Sequence, residues 1–537
     1  MLGAANLEIG LWDSLVIVLY LAGIVGLGCW AGLRGRGRGG KNFFLAGRSL
    51  TWPVIGLALF STNISTVHLV SLAEQGYKNG LVYGNFEWMA AFTLIVLALF
   101  FAPFYIRTKV ATLPDFLERR YDHRSRLWLS LLSIISAVFI HIGCSLYAGA
   151  VVLHGLFNLD ILWSIVAVAL LTGLYTIIGG LAAVVWTESI QTVVLIAGAL
   201  CITAIALVRV GGWGGLTANI PPGSMEMLRP AGDASGLAWY TVFLGYPVIG
   251  IWYWCTDQTI VQRVLGAKDE DHARLGALFA GFIKILPVFI FVLPGLICLG
   301  LVHKGAVPGR PEHASDTYAF MIKALLPVGL KGVVAAALLA ALMSTVSGAL
   351  NSIATLFSMD FYKRLRPEAS DRKLVRVGRI ATFVAMAAAI AWSPQVGRLS
   401  SSIFDSISLM ICYLAPPITT VFLWGVFWRR ASATASFYTL VTGSILGLAV
   451  FLLSEFKETT GWDLHYMLAG FYLFLVCSLL LAVLSFFFPQ EEDEEKLRLV
   501  WNNPLSALSA PGRRGLGNYK FLALLLFLVM VGLYLAF

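Results

Sequence analysis

Several ionisable and amide side chains of this chain lie inside runs that are otherwise apolar. Glu87 sits in GNFEWMAAF, Lys284 in GFIKILPVF and Asp257 in WYWCTDQ. Asn63 and His68 share FSTNISTVHLV, and Ser344, Thr345 and Ser347 fall together in AALMSTVSGAL. A charge inside an apolar spanning run is costly unless it faces the protein interior, so such residues mark function by default. A carboxylate, an ammonium, an amide and an imidazole can together donate to and accept from the hydroxyls of a pyranose. The aromatic faces of Phe86, Tyr253 and Trp254 can cover its apolar side. Hydroxyls and freed backbone carbonyls supply oxygen ligands for sodium, by extension from the other hard cations. The plainer alternative is that small hydroxyl residues let helices pack closely. Glu87 and Lys284 could also simply neutralise each other. His141 and Asp405 read as packing or ion-pair residues.

The elements that must carry these residues are membrane helices. The chain has 537 residues, 58% of them hydrophobic and only 12% charged, with a mean hydropathy of +0.82. An ordinary soluble domain carries about 25% charge, whereas a spanning helix needs about 20 apolar residues. Fourteen spans are expected, near 11–33, 51–77, 80–106, 127–157, 159–179, 182–208, 237–262, 273–302, 318–360, 375–396, 400–427, 432–454, 464–488 and 518–537. The ninth is too long for one straight helix and is expected to hold an amphipathic approach followed by a span. The fold class is therefore all-α and polytopic, as one transporter domain in a lipid bilayer.

The net charge of +9 does not point to nucleic acid, because Lys and Arg cluster in short loops between apolar runs. Arg34, Arg36, Arg38, Lys41 and Arg48 follow the first span, and Lys363, Arg364, Arg366, Arg372, Lys373, Arg376 and Arg379 follow the ninth. The positive-inside rule makes that side cytoplasmic and puts both termini outside. The run 11–33 precedes its basic loop, so it reads as a retained helix rather than a signal peptide. The seven cysteines lie in apolar segments without zinc-ligand spacing and read as buried hydrophobes. No nucleophile–base pair has supporting context, so an enzyme is not expected. Nothing in the sequence assigns an oligomeric state.

Two spans carry signs of interruption. The polar stretch Ser61–Thr66 offers side-chain oxygens that compete for backbone groups. Gly245, Pro247 and Gly250 place a helix-kinking proline in the seventh span. Interrupted helices at corresponding places in two halves point to a transporter binding site.

The motifs that hold these residues resemble those of the sodium/solute symporter family, and within it the sodium/glucose cotransporters. They are FSTNISTVHLV at 60–70, NFEWMAAFTL at 85–94, YTIIGGLAAVVWTESIQ at 175–191, IWYWCTDQTIVQR at 251–263, AALMSTVSGALNSIATLFSMDFY at 340–362 and YLAPPITTVFLWGVFWRR at 413–430. The resemblance runs over nearly the whole chain. It implies a leucine-transporter-type core of two inverted five-helix repeats, 51–208 and 237–427, with 11–33 and 432–537 peripheral. It implies a sugar site at Asn63, His68, Glu87, Tyr253, Trp254 and Lys284. It implies a sodium site from the backbone oxygens of Ser61, Ile64 and Ala341 and the hydroxyls of Ser344 and Thr345. Glu188 stands where relatives with a second sodium carry an Asp, so Glu188 and Ser347 are candidates for a second sodium. Ser408 stands where the sugar transporters carry a Gln, which leaves the sugar open between a glucose- or galactose-like hexose and a related polyol. The loop between the eighth and ninth spans lacks the cysteine-rich insertion of the animal proteins, which suggests a compact bacterial member in the inner membrane.

The function expected is sodium-coupled sugar import by alternating access, with Na+ as coupling ion and no other cofactor. The alternatives are sodium symport of another small solute, such as inositol or sialic acid, and a sodium-dependent sugar sensor.

Overall fold

The computed structural model describes residues 10–34, 39–397, 403–490, 493–509, 512 and 515–537. The side chain of Asp405 lies outside this set, as do Arg36 and Arg38. The described chain is helical, with only two isolated β-bridges.

The order begins with α1 (Leu11–Arg34) and the short α2 (Gly39–Leu45). Next come α3 (Trp52–Asn63) and α4 (Thr66–Asn79). α5 (Asn85–Val96) continues through a π-helical turn into α6 (Ala102–Thr108). After α7 (Leu113–Arg120), α8 (His123–Ser136) passes through the π-helical Ala137–Cys144 into α9 (Ser145–Phe157). α10 (Ile161–Val210) is a single helix with a kink. α11 (Trp239–Ile251) and α12 (Gln258–Leu265) flank a π-helical turn. α13 (Glu270–Ile283), α14 (Leu293–His303), α15 (Thr317–Leu325) and α16 (Leu330–Leu356) follow. The last are α17 (Asp371–Val396), α18 (Ile403–Phe427), α19 (Ala433–Glu455), α20 (Tyr466–Phe487) and α21 (Tyr519–Ala536).

Eleven continuous helical runs among the described residues are long and apolar enough to cross a bilayer. That number differs from fourteen for local reasons. The expected spans 51–77 and 237–262 are each built from two shorter helices. The spans 159–179 and 182–208 are two limbs of α10, which bends where Gly180 takes φ 59°. A Cβ there would collide with the carbonyl of Phe43, so only glycine fits that bend. The long ninth segment does divide, into α15 and α16, with Gly329 at φ 93° between them.

Burial separates the core from the rim. The apolar window of α16 is 94% buried, against 17% for α1 and 22% for α21. α16 packs against α10, and α3 against α13. α4 and α14 approach backbone to backbone, because side chains at Gly76 and Gly295 would strike Val292 and Ala73 carbonyls. Small residues at helix contacts allow this approach in membranes.

The two broken spans position the site. α3 starts on Thr51 with a proline in its first turn, as expected of Pro53. It ends where Ile64 turns extended, and Ser65 then caps α4. Ser65 and His68 form a reciprocal capping box, in which the Ser65 N–H donates to His68 Nδ1 at 3.2 Å. The seventh span breaks elsewhere than the glycine–proline signal indicated. α11 continues through Pro247, and the chain turns extended only at Asp257. The Asp257 carboxylate then caps α12, accepting from Thr259 N–H at 2.7 Å and Ile260 N–H at 3.3 Å. A capping carboxylate stabilises the free N–H groups of a new helix, so the break falls where the cap is.

Candidate functional site

The capping box at the break between α3 and α4 decides how His68 faces inward. Its Nδ1 accepts from the Ser65 backbone, so Nε2 carries the proton and is the donor. That Nε2 lies 3.7 Å from Glu87 Oε1. Glu87 sits in the first turn of α5 and is buried, as is Lys284, the residue that ends α13. Lys284 Nζ pairs with Glu87 and also donates to Asn63 Oδ1 at 2.7 Å. The Asn63 amide donates in turn to the Tyr253 hydroxyl at 3.2 Å. Lys284 lies 5.4 Å from the centre of the Trp254 ring, a cation–π contact. Six residues expected to act together therefore form one contiguous cluster from five elements: hydrogen bonds join Glu87, Lys284, Asn63 and Tyr253, His68 faces Glu87, and the Trp254 ring faces Lys284.

A cavity of about 130 Å³ opens on this network. Asn63, His68, Glu87, Tyr253, Trp254 and Ser408 all line it, and so do Phe86 and Thr345. Lys284 is not in the wall. It sits behind Glu87, and its charge keeps a buried carboxylate balanced while Glu87 presents its oxygens. The arrangement can bond several hydroxyls at once from one side. Tyr246 and His141 are wall residues that sequence reasoning did not assign to the site. Tyr246 lies seven positions, two helical turns, before Tyr253, which was a usable signal. Its hydroxyl donates to the Phe86 carbonyl at 2.9 Å and fixes that ring's backbone. His141 does pair with a carboxylate, at 3.3 Å from Asp257 Oδ2, and so ties α8–α9 to the cap of α12.

Beside the cavity, α16 meets the break in α3. Ser344 Oγ donates to the carbonyls of Ser61 at 2.8 Å and Ala341 at 2.9 Å. Thr345 Oγ1 lies 3.4 Å from the Ile64 carbonyl, 3.3 Å from that of Ala341 and 3.2 Å from that of Thr62. The five expected oxygens thus converge, with the Thr62 carbonyl as an unforeseen sixth. A hydroxyl has two lone pairs besides its proton, so both side chains can turn an oxygen toward a small hard cation. Among the described residues no group of three or more His, Cys, Asp or Glu side chains converges on one point. Thr345 belongs to both the oxygen cluster and the cavity wall.

Glu188 and Ser347 lie apart from each other in bonding. Ser347 Oγ donates to the Ser344 carbonyl at 3.0 Å. Glu188 is fully buried and pairs with Arg263, itself fully buried, through both carboxylate oxygens. Thr62 Oγ1 donates to the same carboxylate at 2.9 Å. Arg263 was the missed partner, seated in the IWYWCTDQTIVQR run where any charge invites a search for its counter-ion.

The profile of the sodium:solute symporter family matches residues 43–443. The chain belongs to that family. This symporter is 34% identical to sodium/glucose cotransporter 1 of Oryctolagus cuniculus, over 91% of this chain and 81% of that protein. It is 36% identical to sodium/glucose cotransporter 2 of Rattus norvegicus, over 84% and 72% respectively. It is 33% identical to sodium/myo-inositol cotransporter 2 of Mus musculus, over 91% and 79%. The fold matches a sodium-coupled sialic acid symporter solved in a substrate-bound outward-open state, with a TM-score of 0.78, 22% identity, and coverage of 90% of this chain and all of that one. The symporter therefore has the leucine-transporter-type architecture, and it is a multi-pass secondary transporter rather than an enzyme.

Proposed function

We propose that this symporter imports a hexose or a related polyol, driven by sodium, with both ligands held at the breaks in its helices. The observation that carries the reading is that Lys284, from behind the wall, ties together Glu87, Asn63 and through it Tyr253, which line a cavity that shares Thr345 with the oxygen cluster. Asn63, His68, Glu87, Tyr253 and Trp254 bond or cover the sugar, and Lys284 pairs with Glu87 from behind and positions its carboxylate. Relatives named for glucose and for myo-inositol support a ring with many hydroxyls. Ser408 lines the cavity with a short hydroxyl and no amide to read one particular hydroxyl of the substrate.

Sodium is assigned to the carbonyls of Ser61, Ile64 and Ala341 and the hydroxyls of Ser344 and Thr345. Its binding joins α16 to the end of α3 in the outward state, and sugar completes the site before the bundle rocks inward. Sodium must bind the outward state better than the inward one for this to work. The repeats are assigned to 51–208 and 237–427, with 11–33 and 432–537 outside them. The basic loops face the cytoplasm, both termini lie outside, and the membrane is a bacterial inner membrane.

A single sodium couples to each sugar. Arg263 already neutralises Glu188, so a second sodium at Glu188 and Ser347 would have to displace a buried guanidinium. The sodium dependence of uptake is expected to be hyperbolic, with a Hill coefficient near one. A sigmoidal curve with a coefficient near two would overturn the single-site assignment. One sodium is sufficient: about 2.3 kcal/mol per 100 mV and about 1.4 kcal/mol per tenfold gradient support roughly several hundred-fold accumulation.

The test of substrate class is an uptake panel in proteoliposomes under an inward sodium gradient. Labelled glucose, galactose, myo-inositol, a sialic acid and proline would be compared. At least one hexose or polyol is expected to accumulate above the equilibrium level. Accumulation of proline or the sialic acid alone would defeat the sugar reading.

A further inference from the structure

A second cavity, of about 440 Å³, lies on the face that carries the basic loops, away from the transport site. It is framed by the end of α1, by α2, by the kink of α10 and by the first turns of α17. Sites for small ligands occupy about 300–1,000 Å³, so the volume suits one polar group. Arg372, Arg376 and Arg379 line it. Their spacing puts all three on one face of α17.

Two of these charges, Arg372 and Arg376, have no ion-pair partner among the described residues. Asp371 also lines the cavity, but its Oδ2 accepts from the Gly40 N–H at 3.0 Å and so serves the start of α2. Among the described residues, the ion pairs on this face, such as Arg126–Asp360 and Arg364–Glu118, do not engage Arg372 or Arg376. Both arginines are exposed. Arg379 is the structural member: Nη2 donates to the Ile178 carbonyl at 3.2 Å, and its guanidinium lies over the Phe43 ring.

An exposed apolar surface follows the cavity along α17. Directly beyond Arg379, the exposed side chains of Ile380, Phe383 and Val384 form an apolar strip along α17. Trp30 and Leu33 are also exposed, on α1, whose Gly32 lines the cavity. Guanidinium groups bind phosphate oxygens in paired, directional hydrogen bonds. Basic pockets between spanning helices on the positive side are suited to anionic headgroups. An apolar strip continuous with the cationic cavity gives acyl chains a place to lie, which a free phosphate would not use.

We propose that this cavity binds the phosphate headgroup of an anionic phospholipid, with its acyl chains along the exposed face of α17. The purified full-length protein in neutral detergent would be titrated with phosphatidylglycerol or phosphatidylcholine, and bound lipid counted by native mass spectrometry. Phosphatidylglycerol is expected to be retained over phosphatidylcholine. R372Q/R376Q is expected to weaken its retention by about 30-fold, from the loss of two basic side chains beside an anionic lipid. R372K/R376K should keep most of the binding, and R366Q, at an exposed basic residue outside the cavity, should keep all of it. Millimolar inorganic phosphate should not displace the lipid. Equal retention of the two lipids overturns the proposal, and this arm needs only the wild-type protein if R372Q/R376Q does not fold. Unchanged binding in R372Q/R376Q, an equal loss in R366Q, or full displacement by inorganic phosphate would each overturn it too.

Discussion

Glu87→Ala is expected to abolish concentrative sugar uptake and to destabilise the protein by about 3–5 kcal/mol. That range is the cost of leaving one member of a buried ion pair without its partner. Lys284 would keep its hydrogen bond to Asn63 but lose the carboxylate that balances its charge. The cavity would also lose acceptor oxygens for the substrate. Hydrogen bonds to charged groups contribute about 1.5–3 kcal/mol each, so any residual transport should show a sugar KM raised roughly 10- to 150-fold. Stability and transport are separable by a second variant. E87Q/K284M removes both charges and should recover most of the lost stability, because no buried charge is left uncompensated. It should not recover transport. If E87Q/K284M transports like the wild type, the pair is only structural, and Glu87 does not hold the sugar.

The second large effect is expected at Thr345. Its hydroxyl stands among the carbonyls of Thr62, Ile64 and Ala341 and also on the wall of the substrate cavity. Thr345→Ala removes one oxygen from the proposed cation site without changing charge or breaking α16. The sodium concentration for half-maximal uptake should rise by about tenfold or more, at the 1.4 kcal/mol per tenfold scale for one lost ligand. Raising sodium should restore most of the maximal rate. Thr345→Ser keeps the oxygen and should stay close to wild type. A Thr345→Ala protein with unchanged sodium dependence would remove Thr345 from the cation site.

Much of this was readable from the chain. The apolar runs mark the helices because a bilayer leaves the backbone few other ways to satisfy its hydrogen bonds. Asn63, His68, Glu87 and Lys284 stand out because polar groups are rare at that depth, and the fold does bring them together. The site of the second helix break was misplaced for a specific reason. Pro247 suggested an interruption, yet a helix in a packed bundle can carry a proline, and the capping carboxylate of Asp257 fixes the real one. Asp followed by a polar, helix-forming run was the overlooked sign. The role of Lys284 behind the wall, rather than in it, needs three-dimensional placement. So does the Arg263–Glu188 pair, whose members are far apart in sequence and meet only when α12 packs against the core. The kink at Gly180 was hidden because two adjacent apolar spans and one bent helix have the same composition.

The mechanism rests on mutual dependence of the sodium and sugar sites. Coupling between two bound ligands is reciprocal, so a sugar gradient must be able to drive sodium as surely as sodium drives sugar. The direct measurement uses proteoliposomes clamped at zero membrane potential, with equal sodium on both sides and an inward gradient of the sugar identified by the uptake panel. Labelled sodium should enter against no gradient of its own, at a rate that falls when the sugar gradient is collapsed and in Thr345→Ala. Sodium entry that ignores the sugar gradient, or sugar entry that proceeds equally with potassium in place of sodium, would contradict sodium–sugar coupling in this symporter.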